Sequence, residues 1–458
     1  MTTVIITFTK YTITFFMMLY TFACFNVFRH KSEEARKYVY FRQNLYMILI
    51  YTLSFLALIM QNTDIKYILF YFVSLVFLVL VILFYRIVYK KANMLITNNM
   101  CMLLSIGFLI LTRISFDRAI RQFAITVFAV LITAVIPVII SRGHFFSTLK
   151  WVYALTGFLM LVIVLVFSAA TNGAKLSIKI AGLTFQPSEF VKLIFVFAIA
   201  SFLSKAQGFM DIVITTLIAA AHVIVLVLSK DLGGAVILFV VYLSMIYIAT
   251  RNVLYLITGT LMGTVGALLG YKMFSHVRIR VDAFRNPFIN INDAGYQIAQ
   301  SLFAIGTGGF FGMGLGQGLP TSIPVVAADF IYSAISEEFG TVFGICLILI
   351  CLSCIIMFMN IAMKFEYAFY KFVAAGLGVL YGFQVFLTIG GVTKFIPLTG
   401  VTLPLVSYGG TSVLVSVVMF SIIQGLYIGR FNTVEPENVI CNPDYEYNYQ
   451  DRYNSEYR

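Results

Sequence analysis

Apolar runs long enough to cross a lipid bilayer follow one another along almost the whole chain. A membrane-spanning helix needs about 20 consecutive apolar residues, and such runs recur from the N-terminal segment to residue 428. Hydrophobic residues make up 61% of the 458 residues and charged residues only 11%. Because so few charges cannot keep a soluble fold of this size in solution, the sequence predicts an all-α polytopic membrane protein.

Thirteen apolar segments are predicted to span the membrane. Lys and Arg are concentrated in alternate linkers, chiefly 29–42, 86–91 and 142–150, and the positive-inside rule places such linkers in the cytoplasm. The N-terminus and residues 275–339 are then predicted to be external, and the C-terminal tail cytoplasmic. The predicted spans are 4–28, 44–61, 67–85, 100–116, 123–140, 151–170, 189–204, 212–228, 234–250, 253–274, 340–363, 367–390 and 411–428.

The chain divides into three units. A basic linker and a break near residues 91–99 set off residues 1–92 as an N-terminal three-span unit. Residues 93–430 form the main membrane core, with a long external loop before its last three spans. Residues 431–458 change to Asn, Tyr, Asp and Glu without apolar periodicity, which predicts a disordered cytoplasmic tail.

Composition and motifs disfavour several kinds of binding site. The net charge of +12 reflects cytoplasmic linkers that face anionic headgroups, so membrane lipids rather than nucleic acid are the expected partners. Among the six cysteines, Cys351 and Cys354 form a C-x-x-C inside an apolar run with no His nearby, which indicates packing rather than metal binding. The glycine-rich run at 306–318 does not follow a strand, so it does not predict a nucleotide site.

Charged residues at the ends of apolar runs mark two candidate positions, because charge near the bilayer is costly. In QPSEFVK at 186–192, Glu189 and Lys192 share one face at the start of a helix. In KDLGG at 230–234, Asp231 stands at the mouth of a span, before two glycines that let backbones approach closely. A capped helix with a local ion pair explains the first position equally well, and a tight turn with a cap explains the second.

Two longer polar stretches complete the set. Residues 394–411 hold two prolines and three glycines at membrane depth, and such non-helical backbone is tolerated only inside protein or beside a water-filled cavity. We expect a re-entrant loop there, with Ser407 facing a substrate. Residues 276–340 carry Arg280 and the isolated carboxylate of Asp329. Because all four stretches map to the outer face, they predict a single external polar cavity.

Three arginines break the charge pattern, because they fall on the predicted external side. Either they bind an anion there or the count of spans is off by one. Arginine binds phosphate through two parallel hydrogen bonds, and Arg113, nearest the apolar run, is the strongest candidate for contact with a diphosphate. For Arg118 and Arg121, pairing with Asp117 or with anionic headgroups is an equal alternative.

Six motifs resemble those of the SEDS family (shape, elongation, division and sporulation), whose members include RodA, FtsW and SpoVE. They lie between about residue 100 and residue 430, in the family's order. The resemblance implies a core of ten spans, so that the three spans of residues 1–92 are extra. The motifs are QPSEFVK at 186–192, DLGGA at 231–235, RVDAFRNP at 280–287, GYQIAQSLFAIGTGG at 295–309, DFIYSAISEEFG at 329–340 and TGVTLPLVSYGGTS at 399–412.

The resemblance implies a peptidoglycan glycosyltransferase. Members of the family polymerise lipid II, a disaccharide-pentapeptide on undecaprenyl diphosphate, into a glycan strand outside the bacterial cytoplasmic membrane, typically with a class B penicillin-binding protein. The family's essential aspartate precedes Phe and matches Asp329. Residues 323–328 lack the Glu and His that often precede that aspartate, and residues 175–178 replace an R-W-I motif, so those roles do not carry over. Elongation, division and sporulation stay open.

Transfer from a sugar diphosphate needs a base and cations for the leaving group. We expect Asp329 to take the proton from the acceptor 4-hydroxyl, and direct displacement implies inversion to a β-1,4 link. No cofactor is predicted with certainty, and a divalent cation at the diphosphate is left open. The expected substrate contacts are Arg280, Lys192 and Lys394 on the diphosphate, and Glu189 and Asp231 on those cations or the sugar.

Two other functions fit many spans around a polar cavity. A lipid II flippase would need a path open to both faces, whereas the polar motifs lie on the predicted outer side. A non-catalytic scaffold for a penicillin-binding protein would not need Asp329. Residues 1–92 carry none of the family motifs, so we expect them to serve partner binding or localisation and to be dispensable for polymerisation in vitro.

Overall fold

The computed structural model describes residues 2–143, 145–167, 178–180, 183–289, 291 and 295–430. The regular secondary structure within these residues is helical, apart from a short antiparallel hairpin that leads into α8 and that the sequence did not predict. The helices are α1 Thr2–Arg29, α2 Glu33–Gln61, α3 Ile65–Val88, α4 Met94–Ile114, α5 Phe116–Thr133, α6 Ile136–Arg142, α7 Lys150–Phe167, α8 Pro187–Leu203, α9 Phe209–Leu228, α10 Leu232–Thr250, α11 Val253–Met273, α12 Ser275–Arg285, α13 Tyr296–Gly308, α14 Ile331–Met363, α15 Ala368–Val392 and α16 Gly410–Gly429, and the strands are β1 Ile178–Ile180 and β2 Leu183–Phe185.

Every predicted span overlaps helical residues, and the span predicted at 123–140 crosses the break between α5 and α6. This confirms an all-α polytopic membrane protein. Twelve helical stretches in the described part of the chain are long and apolar enough to cross a membrane. The prediction of thirteen spans adds α8, which has 17 residues and is buried along most of its length, so the count of spans stays a prediction. The tail predicted at 431–458 lies outside the described residues.

A break in α14 separates a half-helix, residues 331–339, from the span that follows. Gly340 adopts φ 87° and ψ 170° there. A Cβ on Gly340 would lie 2.3 Å from the backbone nitrogen of Gly312, so both the positive φ and the close approach require glycine. The predicted span 340–363 therefore matches the second part of α14, and the half-helix belongs to the polar interval before it.

The polar interval between α11 and α14 is folded and lies at one end of the helix bundle. It contains α12, α13 and a 3₁₀ turn at Pro320–Ser322. The start of α1 and the end of α4 reach the same end, because Lys10 Nζ donates to the Gly312 carbonyl at 3.1 Å and Arg113 Nη2 donates to the Gly318 carbonyl at 3.0 Å. The arginine at the end of α4 thus lies beside this interval, and the side of the membrane that this end faces stays a prediction.

Helix α4 is the central helix of the bundle. Every residue from Leu95 to Thr112 is buried. The helix packs against α2 and α3 of the N-terminal unit and against α5, α14 and α16 of the core. A helix that is buried on all sides needs neighbours on all sides, so the N-terminal unit supplies part of the packing that the core requires.

Polar side chains tie the N-terminal unit to α4. Tyr20 Oη donates to Asn99 Oδ1 at 3.1 Å, and Asn99 Nδ2 donates to Ser353 Oγ of α14 at 2.8 Å. Asn98 Nδ2 donates to Gln43 Oε1 at 3.1 Å. Hydrogen bonds between membrane helices contribute about 0.6 kcal/mol each on average, so these bonds mainly set the orientation of the helices. This packing argues against the expectation that residues 1–92 form a separable unit.

Removal of residues 1–92 should therefore destabilise the rest of the chain, contrary to the expectation from sequence that the core alone stays active. Without its first three helices, α4 would present Asn98 and Asn99 to lipid, where unsatisfied polar groups are costly. We expect the truncated chain, after extraction in detergent, to aggregate on size-exclusion chromatography and to lack a sharp unfolding transition.

A milder substitution tests the same packing in the full chain. Asn99→Ala removes the link between α1, α4 and α14 and should lower the free energy of unfolding by roughly 1 kcal/mol. Thr258→Ala is the matched control, because Thr258 lies on α11 and donates to carbonyls of its own helix. A monodisperse truncated chain that unfolds at the parent's midpoint would contradict the role of residues 1–92 in packing.

Candidate functional site

Arg280 of α12 is at the centre of the candidate site. Its guanidinium Nη1 donates to the carbonyl oxygens of Thr399 at 3.0 Å and Leu398 at 3.4 Å. Both carbonyls belong to the non-helical loop at residues 393–409, which joins α15 to α16. Two of the four polar stretches singled out in the sequence therefore meet at this arginine.

Two carboxylates lie close to Arg280. Those of Asp329 and Asp231 are both near enough to attract its positive charge. Asp329 lies just before α14, where a Cβ placed on Gly400 of the loop would be 3.6 Å from its Oδ2. Asp231 caps α10, and its Oδ1 accepts a hydrogen bond from Gly234 N at 2.8 Å. The cap that the sequence analysis offered as an alternative for Asp231 is thus present, and the same residue also faces Arg280.

Burial and charge together set the protonation of Asp329. Burial raises the pKa of this carboxyl to about 6, and the Arg280 guanidinium opposes that rise. Burial also lowers the pKa of Arg280, which the carboxylates of Asp329 and Asp231 oppose. Among the described residues none donates a hydrogen bond to the Asp329 side chain, so this carboxylate is available to accept a proton from a bound hydroxyl.

The loop at 393–409 is non-helical, as its prolines and glycines predict, and its backbone is held by the neighbouring helix and by the segment before α14. In α15, Thr388 Oγ1 donates to the Val401 carbonyl at 3.0 Å. Tyr408 N donates to the Ala327 carbonyl at 2.7 Å. The loop therefore packs directly against the two residues that precede Asp329.

Ser407 does not face a cavity, so that prediction is wrong. Its side chain is 1% exposed, its Oγ donates to the Ala328 carbonyl at 2.6 Å, and the same Oγ accepts from Leu403 N at 2.9 Å. The hydroxyl satisfies backbone groups that the irregular loop leaves without helical partners. Ser407 thus positions the residue next to Asp329 instead of contacting a substrate.

Glu189 and Lys192 form a buried ion pair at the start of α8, with Oε1 and Nζ 2.8 Å apart. Lys192 Nζ also donates to Gln384 Oε1 at 3.4 Å. Gln384 Nε2 in turn donates to the Thr402 carbonyl at 3.2 Å. The local pair that the sequence analysis offered as the alternative is therefore present, and it connects to the loop at 393–409 through one glutamine.

Lys394 is not drawn into this network. It follows α15 in a left-handed backbone conformation, with φ 57°, and its side chain is half-buried. In the described part of the chain no side-chain hydrogen bond or ion pair links it to Asp329 or Arg280. Its predicted contact with a diphosphate stays a prediction.

Arg113 is engaged by the protein itself. Its Nε donates to Glu338 Oε1 at 2.9 Å, and its Nη2 donates to the Gly318 carbonyl at 3.0 Å. This geometry argues against the predicted contact with a diphosphate, because Nε and Nη2 of the guanidinium already bind a buried carboxylate and a backbone carbonyl. Arg118 lies over the Tyr408 ring at 5.8 Å, and Arg121 is exposed.

Sequence analysis overlooked Glu338 as a functional partner. Its signal was present, because Glu337 and Glu338 are adjacent carboxylates beside an apolar run, and charges near the bilayer usually have a partner. Glu337 Oε1 accepts a hydrogen bond from Leu319 N at 2.9 Å. The two side chains therefore hold the segment that leads to Asp329.

His276 and Lys230 were also overlooked. His276 precedes Arg280 by four residues on α12, so the two side chains share one face of that helix. Its Nε2 is buried and has no hydrogen-bond partner among the described residues. Burial lowers the pKa of His276, as do the charges of Lys230 and Arg280. The spacing of four residues was the available signal, and it places His276 beside Arg280.

This arrangement can support displacement of an anionic leaving group. It combines one carboxylate of raised pKa with neighbouring cations, which are the two components that such a reaction needs. In the described part of the chain no group of three or more His, Cys, Asp and Glu side chains is placed to hold a metal ion. In this arrangement Asp329 is the candidate proton acceptor, and Arg280 is the candidate cation for an anionic leaving group.

Comparison with known proteins gives a consistent picture. A family model described as a cell cycle protein, covering FtsW, RodA and SpoVE, matches residues 92–428. The peptidoglycan glycosyltransferase RodA of Mycobacterium tuberculosis is 35% identical over 298 residues, which cover 61% of this chain and 64% of the relative, just under two thirds of its length. The stage V sporulation protein E of Bacillus subtilis is 34% identical, over 56% of this chain and 72% of that protein.

Solved structures share the fold. One is described as the structural coordination of polymerization and crosslinking by a peptidoglycan synthase complex, and its matching chain gives a TM-score of 0.64 at 21% identity. The crystal structure of the rod shape determining protein RodA of Thermus thermophilus gives a TM-score of 0.56 at 22% identity. Each match covers 74% of this chain and 98% of the other.

A cysteine at Ser407 should resist polar thiol reagents, contrary to the labelling expected from sequence. Phe395 in the same loop is 71% exposed, so Phe395→Cys is the matched accessible position. We expect Phe395→Cys to react at least roughly tenfold faster than Ser407→Cys, because reaction at the buried site requires local opening. The five described cysteines are buried, so only the sixth, Cys441, is replaced by Ser before each variant is made.

The same pair of variants reports on orientation. In sealed cells, Phe395→Cys should react with an impermeant reagent added outside. Equal rates at the two positions would contradict the buried placement of Ser407, and labelling of Phe395→Cys only from the cytoplasm would reverse the predicted topology.

Proposed function

Because the chain belongs to the FtsW/RodA/SpoVE family of cell cycle proteins, we propose that it is a peptidoglycan glycosyltransferase. Its proposed substrate is lipid II, which it would polymerise into β-1,4-linked glycan strands at the outer face of the bacterial cytoplasmic membrane. The observation that carries the proposal is the half-buried Asp329 carboxylate, whose pKa is raised to about 6, beside Arg280. A carboxylate whose pKa lies near neutral pH is a suitable base for glycosyl transfer to a hydroxyl.

In the proposed reaction, the 4-hydroxyl oxygen of the acceptor sugar attacks the anomeric carbon of the donor strand. The bond from that carbon to the diphosphate oxygen breaks, and the diphosphate leaves with the electron pair. The Asp329 carboxylate takes the hydroxyl proton. Because one displacement inverts the anomeric carbon, an α-linked diphosphate gives a β-1,4 bond. The expected acceleration from the base alone is roughly 10²–10⁴-fold.

Arg280 is the proposed cation for the leaving diphosphate. The guanidinium Nη1 donates to two backbone carbonyls of the loop, at 3.0 and 3.4 Å. These bonds hold the Arg280 side chain in place, and the guanidinium retains further N–H donors. The charges of Lys230 and Arg280 favour the neutral form of the neighbouring His276, so Lys230 is the residue that extends the positive patch beside Arg280. Preorganised cations stabilise charge that develops in the transition state, and this patch is the part of the site suited to that role.

The other predicted site residues take supporting roles in this proposal. Glu189 and Lys192 hold the loop at 393–409 through Gln384, and Asp231 orients Arg280. Lys394 keeps its proposed contact with the diphosphate on the half-buried end of the same loop. Arg113 and Ser407 position the segment around Asp329 and are not assigned to the substrate.

The flippase and scaffold alternatives are less well supported. A flippase needs a path open to both faces of the membrane, whereas Asp231, Arg280 and Asp329 gather at one end of the bundle. A scaffold needs no base, yet the segment before Asp329 is bonded at Ala327 and Ala328 by the adjoining loop. We propose that a class B penicillin-binding protein is the partner, in elongation, division or sporulation.

Asp329→Ala should abolish polymerisation while the protein still folds. The variant loses the proposed base, so we expect the rate of glycan synthesis from purified lipid II by the reconstituted protein to fall by roughly 10²–10⁴-fold or more. Asp117→Ala is the matched control, because Asp117 is an exposed carboxylate at the same end of the bundle. Flipping of lipid II, measured on the same vesicles, separates the enzyme from a transporter. Parent-like polymer from Asp329→Ala would overturn the assignment.

The pH dependence of kcat/KM should show an acid limb near pH 6, because Asp329 accepts a proton only when ionised. Activity should therefore be lost as the pH falls through that value. Arg280→Gln removes the charge that lowers the pKa of Asp329, so the limb should move to higher pH, in addition to any loss of rate.

Arg278→Gln is the control for the pH profile. Arg278 is exposed on the same helix and donates to the Lys272 carbonyl at 3.3 Å. This variant should keep the parent's acid limb. An unmoved limb in Arg280→Gln would show that Asp329 is not the titrating base.

A further inference from the structure

The N-terminal helices contact the glycine-rich segment, defined here as residues 309–319. Lys10 Nζ of α1 donates to the Gly312 carbonyl at 3.1 Å. Gln61 Nε2 at the end of α2 donates to the Leu315 carbonyl at 2.6 Å. Both donors come from the unit at residues 1–92, which lies before the matched family region at residues 92–428.

Ring and side-chain contacts reinforce these two hydrogen bonds. The Tyr11 and Phe311 rings pack edge to face with centroids 5.3 Å apart. A Cβ on Gly314 would lie 2.9 Å from the Ile6 side chain, so the segment and α1 are in close contact. Four side chains from two helices of the N-terminal unit therefore contact one short stretch of the core.

The other side of the glycine-rich segment is bonded to the half-helix at 331–339. Met313 N donates to the Glu337 carbonyl at 2.9 Å, and Gly314 N donates to the Glu338 carbonyl at 3.0 Å. Leu319 N donates to Glu337 Oε1 at 2.9 Å. The segment thus lies between the N-terminal helices and the far end of the half-helix.

This half-helix begins two residues after Asp329. Its first end is held by the loop at 393–409, whose Ser407 hydroxyl binds the Ala328 carbonyl. Its second end is held by the glycine-rich segment. Glycine gives that segment a wide conformational freedom, so its shape depends on what it is bonded to. Lys10 and Gln61 are the side-chain donors that the N-terminal unit provides for this purpose.

We infer that Lys10 and Gln61 are positioning residues for Asp329, acting through the glycine-rich segment and the half-helix. The residues at 1–92 thereby take part in the reaction geometry of the core. The catalytic consequence of this inference rests on the proposed function. The contacts of Lys10 and Gln61 with the glycine-rich segment, called the clamp below, can be measured without any substrate.

Hydrogen–deuterium exchange on the full chain in detergent tests the clamp directly. The readout is the exchange rate of the amides of Met313 and Gly314, which donate to the half-helix. We expect exchange to accelerate by roughly fivefold in Gln61→Ala and roughly tenfold in Lys10→Ala, the factors that correspond to one neutral and one charge-assisted hydrogen bond. Lys10→Arg keeps a cationic donor and should restore slow exchange.

Two matched controls carry the same kinds of side chain elsewhere. Lys31 is exposed in the linker between α1 and α2, and Gln207 is exposed in the turn between α8 and α9. Lys31→Ala and Gln207→Ala should leave the exchange of the two amides unchanged. Parent-like exchange in Lys10→Ala, in Gln61→Ala and in the double variant would overturn the inference.

Kinetics on the same proteins test the catalytic consequence. In Lys10→Ala/Gln61→Ala, kcat for polymerisation of lipid II should fall by roughly tenfold with KM nearly unchanged, because misplacement of a reacting group lowers the rate of the chemical step. Lys10→Arg should recover most of the rate. An unchanged kcat despite faster exchange would refute the positioning role. Absence of polymer from the parent chain, with the exchange pattern intact, would instead remove the proposed function and leave the clamp.

Discussion

The structure depends above all on the need to satisfy backbone hydrogen bonds where water is absent. Inside a bilayer, helices satisfy their own backbone groups, and irregular backbone survives only when other protein groups bind it. Here two irregular stretches, the glycine-rich segment and the loop at 393–409, are both bonded to their surroundings, and both adjoin the segment that carries Asp329. Neither stretch satisfies its own backbone groups, so each is hydrogen-bonded to neighbouring parts of the protein. These bonds bring the polar side chains of the site together.

Buried charged side chains also need partners, and an unpartnered charge costs more free energy than an unpartnered backbone group. A buried ion is tolerated when a partner of opposite charge is close, and removal of one partner is strongly destabilising. Glu338 with Arg113, and Glu189 with Lys192, form ion pairs, so both pairs act as fixed supports. Asp329 differs, because no described residue donates a hydrogen bond to its side chain and the nearby Arg280 acts on it by charge alone. The site thus contains closed pairs around one carboxylate that is left open.

The sequence was sufficient for the helices and for the grouping of the polar stretches, but not for individual contacts. Apolar runs located the helices, because the bilayer imposes its thickness on any helix, but not their bounds: α2 begins at Glu33 and not at residue 44 as predicted. Residue type indicated that Ser407 and Arg113 contact a substrate. It could not show that Ser407 binds backbone groups or that Arg113 binds Glu338 and a backbone carbonyl. Glu338 lies 225 residues from Arg113, and Ala328 lies 79 residues from Ser407, and a single sequence carries no signal for that proximity.

The same limitation explains why residues 1–92 were read as a separate unit. Their lack of family motifs is real, but independence in sequence does not imply independence in packing. Association of membrane helices relies on close packing and on hydrogen bonds between helices, since lipid is as apolar as the side chains. Bonds such as those of Asn98 and Asn99 with α1 and α2 fix the angle at which the added helices meet α4. With that angle fixed, the start of α1 and the end of α2 lie against the glycine-rich segment. On our proposal, residues 1–92 therefore support the reaction centre without carrying any of the family motifs.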